Sequence, residues 1–185
     1  MTLDGFIAGP KGEMDFMVWD WDKELVKYVD EITQPVDCIV LGRKLAEGFI
    51  PYWANVAADP NHAEFTAGKM FTETSKVVFT GTLKTSEWEN TVLAKGDVVN
   101  EINKLKASNY GGSNDIIAYG GAKFVSSLIK YELIDEYHLF INPTAIATGM
   151  PIFSELYGTL NLKLIKSVAF ECGIVVLHYQ KNTSV

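Results

Sequence analysis

The chain reads as an α/β domain of three layers: a central mixed but mainly parallel sheet, flanking helices and a C-terminal antiparallel hairpin. Three observations predict it. Short apolar runs that end in Gly or Thr alternate with segments of helical spacing, as buried parallel strands and their crossover helices do. The last third changes to strand-like runs with no helix of comparable strength between them. The length of 185 residues, 48% of them hydrophobic, suits a single domain over 1–185 that buries roughly two-thirds or more of its unfolded surface in one large core.

In chain order, Leu25, Val26, Val29 and Ile32 recur at helical spacing and mark the first helix. Residues 38–41 form a short apolar run read as a central strand, and residues 45–49 read as a short helix behind it. The stretch 51–74 is irregular and carries Tyr52, Trp53, Phe65 and Phe71 in otherwise polar sequence. A loop this long is either a lid or pocket wall, or it packs over a sheet edge. Residues 76–80 give a second strand and 115–119 a third. Val98, Val99, Ile102 and Leu105, then Phe124, Val125, Leu128 and Ile129, supply two more amphipathic helices. Strand-like runs follow at 137–142, 160–170 and 174–180, and Glu171-Cys172-Gly173 is the tight turn joining the final two. No internal repeat or low-complexity tract interrupts this order.

The charge balance narrows the partners. A net charge of −7 repels phosphate backbones and anionic lipid at long range, so neither nucleic acid nor membrane is an expected partner. No apolar run approaches the roughly 18 residues of a spanning helix, and the start lacks a signal-peptide pattern; a cytoplasmic protein is expected. Cys38, Cys172, His62, His138 and His178 show no metal-ligand spacing. No metal site is predicted, and the thiols read as buried.

Chemistry concentrates at three turns. In Ala118-Tyr119-Gly120-Gly121-Ala122 a buried strand runs through two glycines directly into a helix. Such a junction offers backbone N–H groups and a positive helix end to an anion, though tight strand–helix packing also selects glycine. In Leu41-Gly42-Arg43-Lys44 the same geometry carries two cations, and Arg43 is the only arginine of the chain. A guanidinium grips a terminal phosphate in a bidentate fork; the alternative is a solvated cation that the helix dipole slightly disfavours. Thr80-Gly81-Thr82 ends the strand at 76–79 with hydroxyls and a flexible turn. Ligands of open α/β sheets sit beyond the carboxyl ends of the strands, where all three turns are expected to gather. Neither a Gly-x-Gly-x-x-Gly nor a Gly-x-x-x-x-Gly-Lys-Ser/Thr pattern is present, so a dinucleotide held by separate turns fits best.

Taken together, these residues resemble a known family. Leu3-Asp4-Gly5-Phe6-Ile7-Ala8-Gly9, with Gly12, Met14 and Phe16 following, is similar to the first strand and active-site loop of the dihydrofolate-reductase-like superfamily. The nearer resemblance is to the reductase domain at the C-terminus of the bacterial riboflavin-biosynthesis deaminase/reductase, RibD. It continues in order through Gly42-Arg43, the Thr80 turn, Gly120-Gly121, residues 133–136 and residues 149–153, and so spans essentially the whole chain. The resemblance implies an NADPH site: Ile7 and Ala8 beside the nicotinamide, Gly120, Gly121 and Ala122 around the pyrophosphate, Gly42 with Arg43 and Lys44 at the 2′-phosphate, and Thr80 and Gly81 near the adenosine half. It also implies a homodimer, with the C-terminal hairpin as a candidate surface.

Three departures from the family stand out. The chain starts near the middle of the expected first strand, so that strand is expected to be short or to lack upstream residues. Leu45 stands where folate reductases carry threonine, which removes a hydroxyl worth about 1 kcal/mol to a phosphate. The deaminase zinc signature, His-x-Glu with Pro-Cys-x-x-Cys, is absent, so only a reductase step is expected.

The expected activity is hydride transfer from NADPH to a small pyrimidine- or pterin-like heterocycle. The reaction the resemblance names is the 5-amino-6-(5-phosphoribosylamino)uracil reductase step of riboflavin biosynthesis. If Arg43 serves the cofactor, no arginine is left for that substrate's phosphate, which leaves the substrate open. Asp15, Asp20 and Asp22 are the candidate proton donors, with Asp22 nearest the family's carboxylate. A carboxylate walled by Phe16, Trp19 and Trp21 could have a raised pKa and act as an acid near neutrality; the favoured reading is that Asp20 or Asp22 caps the helix that follows. Phe16, Trp19 and Trp53 are the candidate substrate contacts. The rival class is a non-catalytic NADPH-binding sensor on the same fold.

Overall fold

The computed structural model describes residues 1–107 and 115–182. Its elements are α1 (Lys23–Thr33), β1 (Val36–Gly42), α2 (Arg43–Ala58), α3 (Phe65–Glu73), β2 (Ser75–Phe79), β3 (Thr91–Ala94), α4 (Val98–Ala107), β4 (Asp115–Tyr119), α5 (Ala122–Lys130), β5 (Glu136–Ile141), β6 (Leu162–Ala169) and β7 (Val175–Lys181). Two compact units share them. One is Thr33–Phe124; the other joins Met1–Ile32 to Val125–Val185. None of the helices among the described residues is long and apolar enough to cross a membrane.

The unit Thr33–Phe124 holds a four-stranded sheet in the order β3-β2-β1-β4, every pair parallel. Parallel neighbours need long crossover connections, which the helical segments supply between β1 and β2 and between β3 and β4. Ile39, Leu41, Ala46, Ile50 and Val78 form its core, with Leu45, Phe49, Phe71 and Tyr119 packed against it. Fully burying one such aliphatic side chain stabilises by about 1.5–3 kcal/mol, so the strands hold because the runs at 38–41 and 77–79 are apolar on both faces.

The stretch 51–74, expected to be a loop, is instead mostly helix. Pro51 lies inside α2, which continues to Ala58, and α3 covers Phe65–Glu73. A proline forfeits one backbone hydrogen bond and crowds the carbonyl four residues back. Here the apolar stripe Ala46, Phe49, Ile50, Trp53 and Val56 carries the helix through it. Trp53 stacks on Phe71 at 4.5 Å between ring centroids, and Phe49 meets Phe71 at 5.2 Å. The aromatics therefore cover this unit's own core rather than form a lid.

The other unit holds a three-stranded antiparallel sheet, order β5-β7-β6. The hairpin β6–β7 is the expected one, and β5 pairs with it, Leu139 opposite Leu177 and Val176 opposite Phe140. Side chains alternate between two faces. On one face Val176 and Phe140 pack with Leu25, Tyr28 and Ile174; on the other Tyr137 and Tyr179 pack with Ile129 and Ile152. The expected single large core is thus divided into separate clusters, because a second sheet needs a core of its own.

No regular strand forms at residues 1–9, apart from an isolated bridge between Phe6 and Pro151. Thr2 accepts the N–H of Phe6 and Gly5 turns the chain back, so the segment follows residues 142–150 through single bonds such as Leu3 N–H to the Thr144 carbonyl (2.8 Å) and Ile7 N–H to the Met150 carbonyl (3.0 Å). The first strand that the resemblance implies is replaced by these turns.

Candidate functional site

Register places the three turns at one rim. Gly42 lies opposite Phe79 and Leu41 opposite Tyr119, so parallel β1, β2 and β4 deliver Arg43, Thr80 and Gly120 to the same carboxyl edge of one sheet. Packing draws the turns closer still. A Cβ on Gly42 would come within 2.9 Å of the Phe124 Cβ, and Phe79 and Phe124 rings lie 4.9 Å apart. The β1–α2 turn, the end of β2 and the first turn of α5 therefore meet, with helices α2 and α5 both starting at this edge.

Gly121 has φ +82°, in the region that penalises side chains, and Gly120 has φ +25°. The space beside them is bounded by Leu45, whose Cδ2 lies 3.2 Å from where a Gly120 Cβ would be. First-turn N–H groups of a helix have no acceptor within it, and the helix dipoles add positive potential. Bare backbone at two helix starts fits a diphosphate bridge, and Arg43 with exposed Lys44 fits a further phosphate. These residues thus suit a phosphorylated dinucleotide.

Two partners were not foreseen. Arg43 Nη1 donates to Glu47 Oε1 at 2.6 Å, one helical turn on; the i,i+4 spacing was the available signal. Thr80 Oγ1 accepts the N–H groups of Thr82 (3.1 Å) and Leu83 (3.0 Å), so this hydroxyl holds its own turn. Gly81 has open space around it. An open cleft of about 730 Å³, lined by Asp37, Lys69 and Ser75 among others, lies instead where β1 and β2 begin, at the edge away from the glycine turns. Ligands of such sheets bind at the carboxyl edge, and the cleft sets two acids, Asp37 and Glu73, against one lysine, Lys69, and no glycine lines it.

The remaining candidates, Ile7, Ala8, Asp15, Phe16, Trp19, Asp20 and Asp22, belong to the other unit. Asp15 and Asp20 are exposed, Phe16 is half-buried and the Trp19 ring is 66% exposed. Asp22 is the helix cap, as favoured, and not an acid of raised pKa. Its Oδ2 accepts the Cys172 N–H at 3.0 Å and its Oδ1 the Leu25 N–H at 2.9 Å, the N-cap of α1. These two N–H groups, Cys172 foremost, hold its carboxyl below the ordinary carboxylate value. It is ionised at neutral pH, the opposite of a poised acid.

A carboxylate with a lowered folded pKa stabilises the fold above its unfolded pKa and ceases to as pH falls through the folded value. Asp22→Ala is therefore expected to lower Tm at pH 7 and to narrow the gap to the native chain as pH falls below about 4. Thermal melts across pH 2–7 check this; an unchanged Tm at pH 7 would remove the cap from the account.

Burial pushes the Cys38 thiol up to about 11, in agreement with an inert buried cysteine, while Cys172 is half-buried in the hairpin turn. His138 and His178, read as unpaired, face each other across β5 and β7 with Glu136 beside them. The alternation Glu136-x-His138 was the visible signal; the cross-strand partner was not.

The family model described as the RibD C-terminal domain matches residues 1–176. The chain is 33% identical over 183 residues to an uncharacterized Bacillus subtilis protein, YyaP, covering 98% of this chain and 92% of that one. Its fold is similar to that of a putative riboflavin biosynthesis protein from Shewanella sp. PV-4, with TM-score 0.70, 22% identity and coverage of 98% and 95%. It is also similar to dihydrofolate reductase from Enterococcus faecalis complexed with NADP(H), with TM-score 0.58, 15% identity and coverage of 98% and 92%.

Proposed function

Since the chain belongs to the RibD C-terminal domain family, we propose that it is an NADPH-dependent reductase of a small pyrimidine- or pterin-like heterocycle. The observation that carries the reading is the common rim, where two helix starts, paired glycines and the sole arginine meet at one carboxyl edge. NADPH supplies a hydride from its nicotinamide ring. In this proposal Gly120, Gly121 and Ala122 face the pyrophosphate, Gly42, Arg43 and Lys44 the 2′-phosphate, and Thr80 and Gly81 the adenosine half. The roles of Ile7 and Ala8 beside the nicotinamide come from the resemblance, and Phe16, Trp19 and Trp53 are the aromatic candidates for the substrate. Riboflavin-type pyrimidine reduction is the reaction that the family name favours.

Arg43 has to leave Glu47 to meet a phosphate, which reduces its net gain. Arg43→Ala is expected to weaken NADPH about tenfold, about 1.4 kcal/mol, and to leave NADH nearly unchanged. Calorimetric titration with both cofactors checks this; equal losses would take Arg43 out of the site.

Asp22 favours a second reading, since a carboxylate tied to two backbone N–H groups is not a proton donor. On that reading the chain binds NADPH as a sensor without turnover. Following substrate-dependent loss of reduced-nicotinamide absorbance against pterins, ribosylaminopyrimidines and simple carbonyls separates the two. Tight binding without oxidation selects the sensor, and binding of neither cofactor overturns both.

A further inference from the structure

The geometry points to a divalent metal site of the zinc type on the antiparallel sheet, built from Glu136 and His138 of β5 and His178 of β7. Glu136 and His138 are two residues apart on one strand and so share a face. His138 lies directly opposite His178 across the β5–β7 ladder. One ligand atom from each of the three lies within 4.8 Å of the others, with His178 Nε2 at 2.9 Å and His138 Nε2 at 3.8 Å from Glu136 Oε2. Ligands bonded to zinc at about 2.0–2.1 Å in tetrahedral geometry stand roughly 3.4 Å apart. The cluster needs only small side-chain rotations to reach that spacing. The two imidazoles are stacked at 4.2 Å and 16°, so those rotations turn both rings toward Glu136 Oε2.

Neighbouring groups already hold the ligands as metal sites require. His138 Nδ1 is hydrogen-bonded to the Tyr28 hydroxyl at 2.9 Å, which leaves Nε2 free to face the ion. Gln180 Nε2 donates to Glu136 Oε1 at 2.9 Å, steering Oε2 inward. Outer hydrogen bonds of this kind set ring orientation and ligand basicity. Both histidine side chains are largely buried, Lys166 lies opposite His178 on β6, and its ammonium is turned over the Tyr28 ring at 5.6 Å. Burial, followed by the neighbouring His178, lowers the His138 pKa, so the ring is neutral and available as a ligand near pH 7. Two imidazoles and one carboxylate suit Zn²⁺, Co²⁺ or Ni²⁺ over Mg²⁺ or Ca²⁺, and three protein ligands leave a coordination position for water.

The test is titration of the full chain with CoCl₂, read by the visible ligand-field bands and by calorimetry, with ZnCl₂ as competitor. Expected is one ion per chain, bands of a nitrogen–oxygen ligand set, and displacement by Zn²⁺. His138→Ala and His178→Ala should each weaken binding roughly hundredfold or more, and Tyr28→Phe roughly 10–100-fold, while His62→Ala should bind as the native chain does. If the alanine variants do not fold, His178→Gln and the native chain's own stoichiometry and spectrum carry the test. No saturable binding by the native chain, a thiolate charge-transfer band, or undiminished affinity in the folded histidine variants would overturn the site.

Discussion

Replacing Lys76 by methionine is expected to cost about 1 kcal/mol of folding stability at neutral pH and to abolish a rise in stability of about 3 kcal/mol between about pH 8 and pH 10.5. Lys76 sits in β2 with 2% of its surface exposed, and its ammonium donates to the carbonyls of Phe71 (2.9 Å), Thr72 (2.9 Å) and Thr74 (2.6 Å). These are carbonyls at the end of α3, which have no acceptor role within the helix. Methionine fills the space and leaves the Phe71 and Thr74 carbonyls without that donor, while Thr72 keeps the Asn90 side-chain amide at 3.1 Å. Two acceptors at about 2 kcal/mol each slightly exceed the roughly 3 kcal/mol of desolvation that the substitution relieves.

The pH dependence follows from burial, which lowers the Lys76 pKa from 10.5 to about 8. Below pH 8 both states hold the proton and the fold bears the whole desolvation cost. Between pH 8 and 10.5 the unfolded chain holds a proton that the folded chain has released, so stability rises with pH, by about 3 kcal/mol in total. Cys38, raised from 9 to about 11, and Tyr119 and Tyr137, raised from 10 to about 12, act in the opposite sense above pH 9. All three are common to both chains. The difference between the urea-unfolding profiles of native chain and variant therefore isolates Lys76, and parallel profiles would refute the assignment.

Gly121→Val is expected to weaken NADPH by roughly a hundredfold, about 3 kcal/mol. A β-branched residue at φ +82° carries a backbone penalty of about 1–2 kcal/mol or more. Its methyl groups would also stand beside Leu45, whose Cβ lies 3.9 Å from a Gly121 Cβ, and would cover the backbone at the start of α5. Gly158→Ala, where a Cβ meets open space, serves as the control and should bind as the native chain does. Fluorescence titration of folded variants measures both. Undiminished NADPH affinity in a folded Gly121→Val chain would move the phosphates away from this turn.

Local pattern was enough for the central strands and for the turns that follow them. The apolar runs at 38–41, 76–79 and 115–119 can be buried on both faces only inside a parallel sheet, and a strand running straight into a helix leaves its turn at the sheet's carboxyl edge. The stretch 51–74 was read as irregular because the helix through it rests on the stripe Ala46 to Val56, whose contacts appear only when α3 and the sheet are in place and outweigh the one bond lost at Pro51. Asp22 shows the same limit. Its cap on Leu25 is three residues away and readable, but the Cys172 N–H that also holds its carboxylate is 150 residues away.

By itself the amino-acid order determined the α/β class, the helices and strands with one clear period, and the glycine, arginine and threonine turns offered to an anion. Tertiary structure alone decided that the antiparallel strands form a sheet of their own, that Asp22 is also held by the Cys172 N–H, and that two histidines and a glutamate face one another. Periodicity is set by neighbours along the chain, whereas pairing register and the field around a charge are set by residues that meet only after folding.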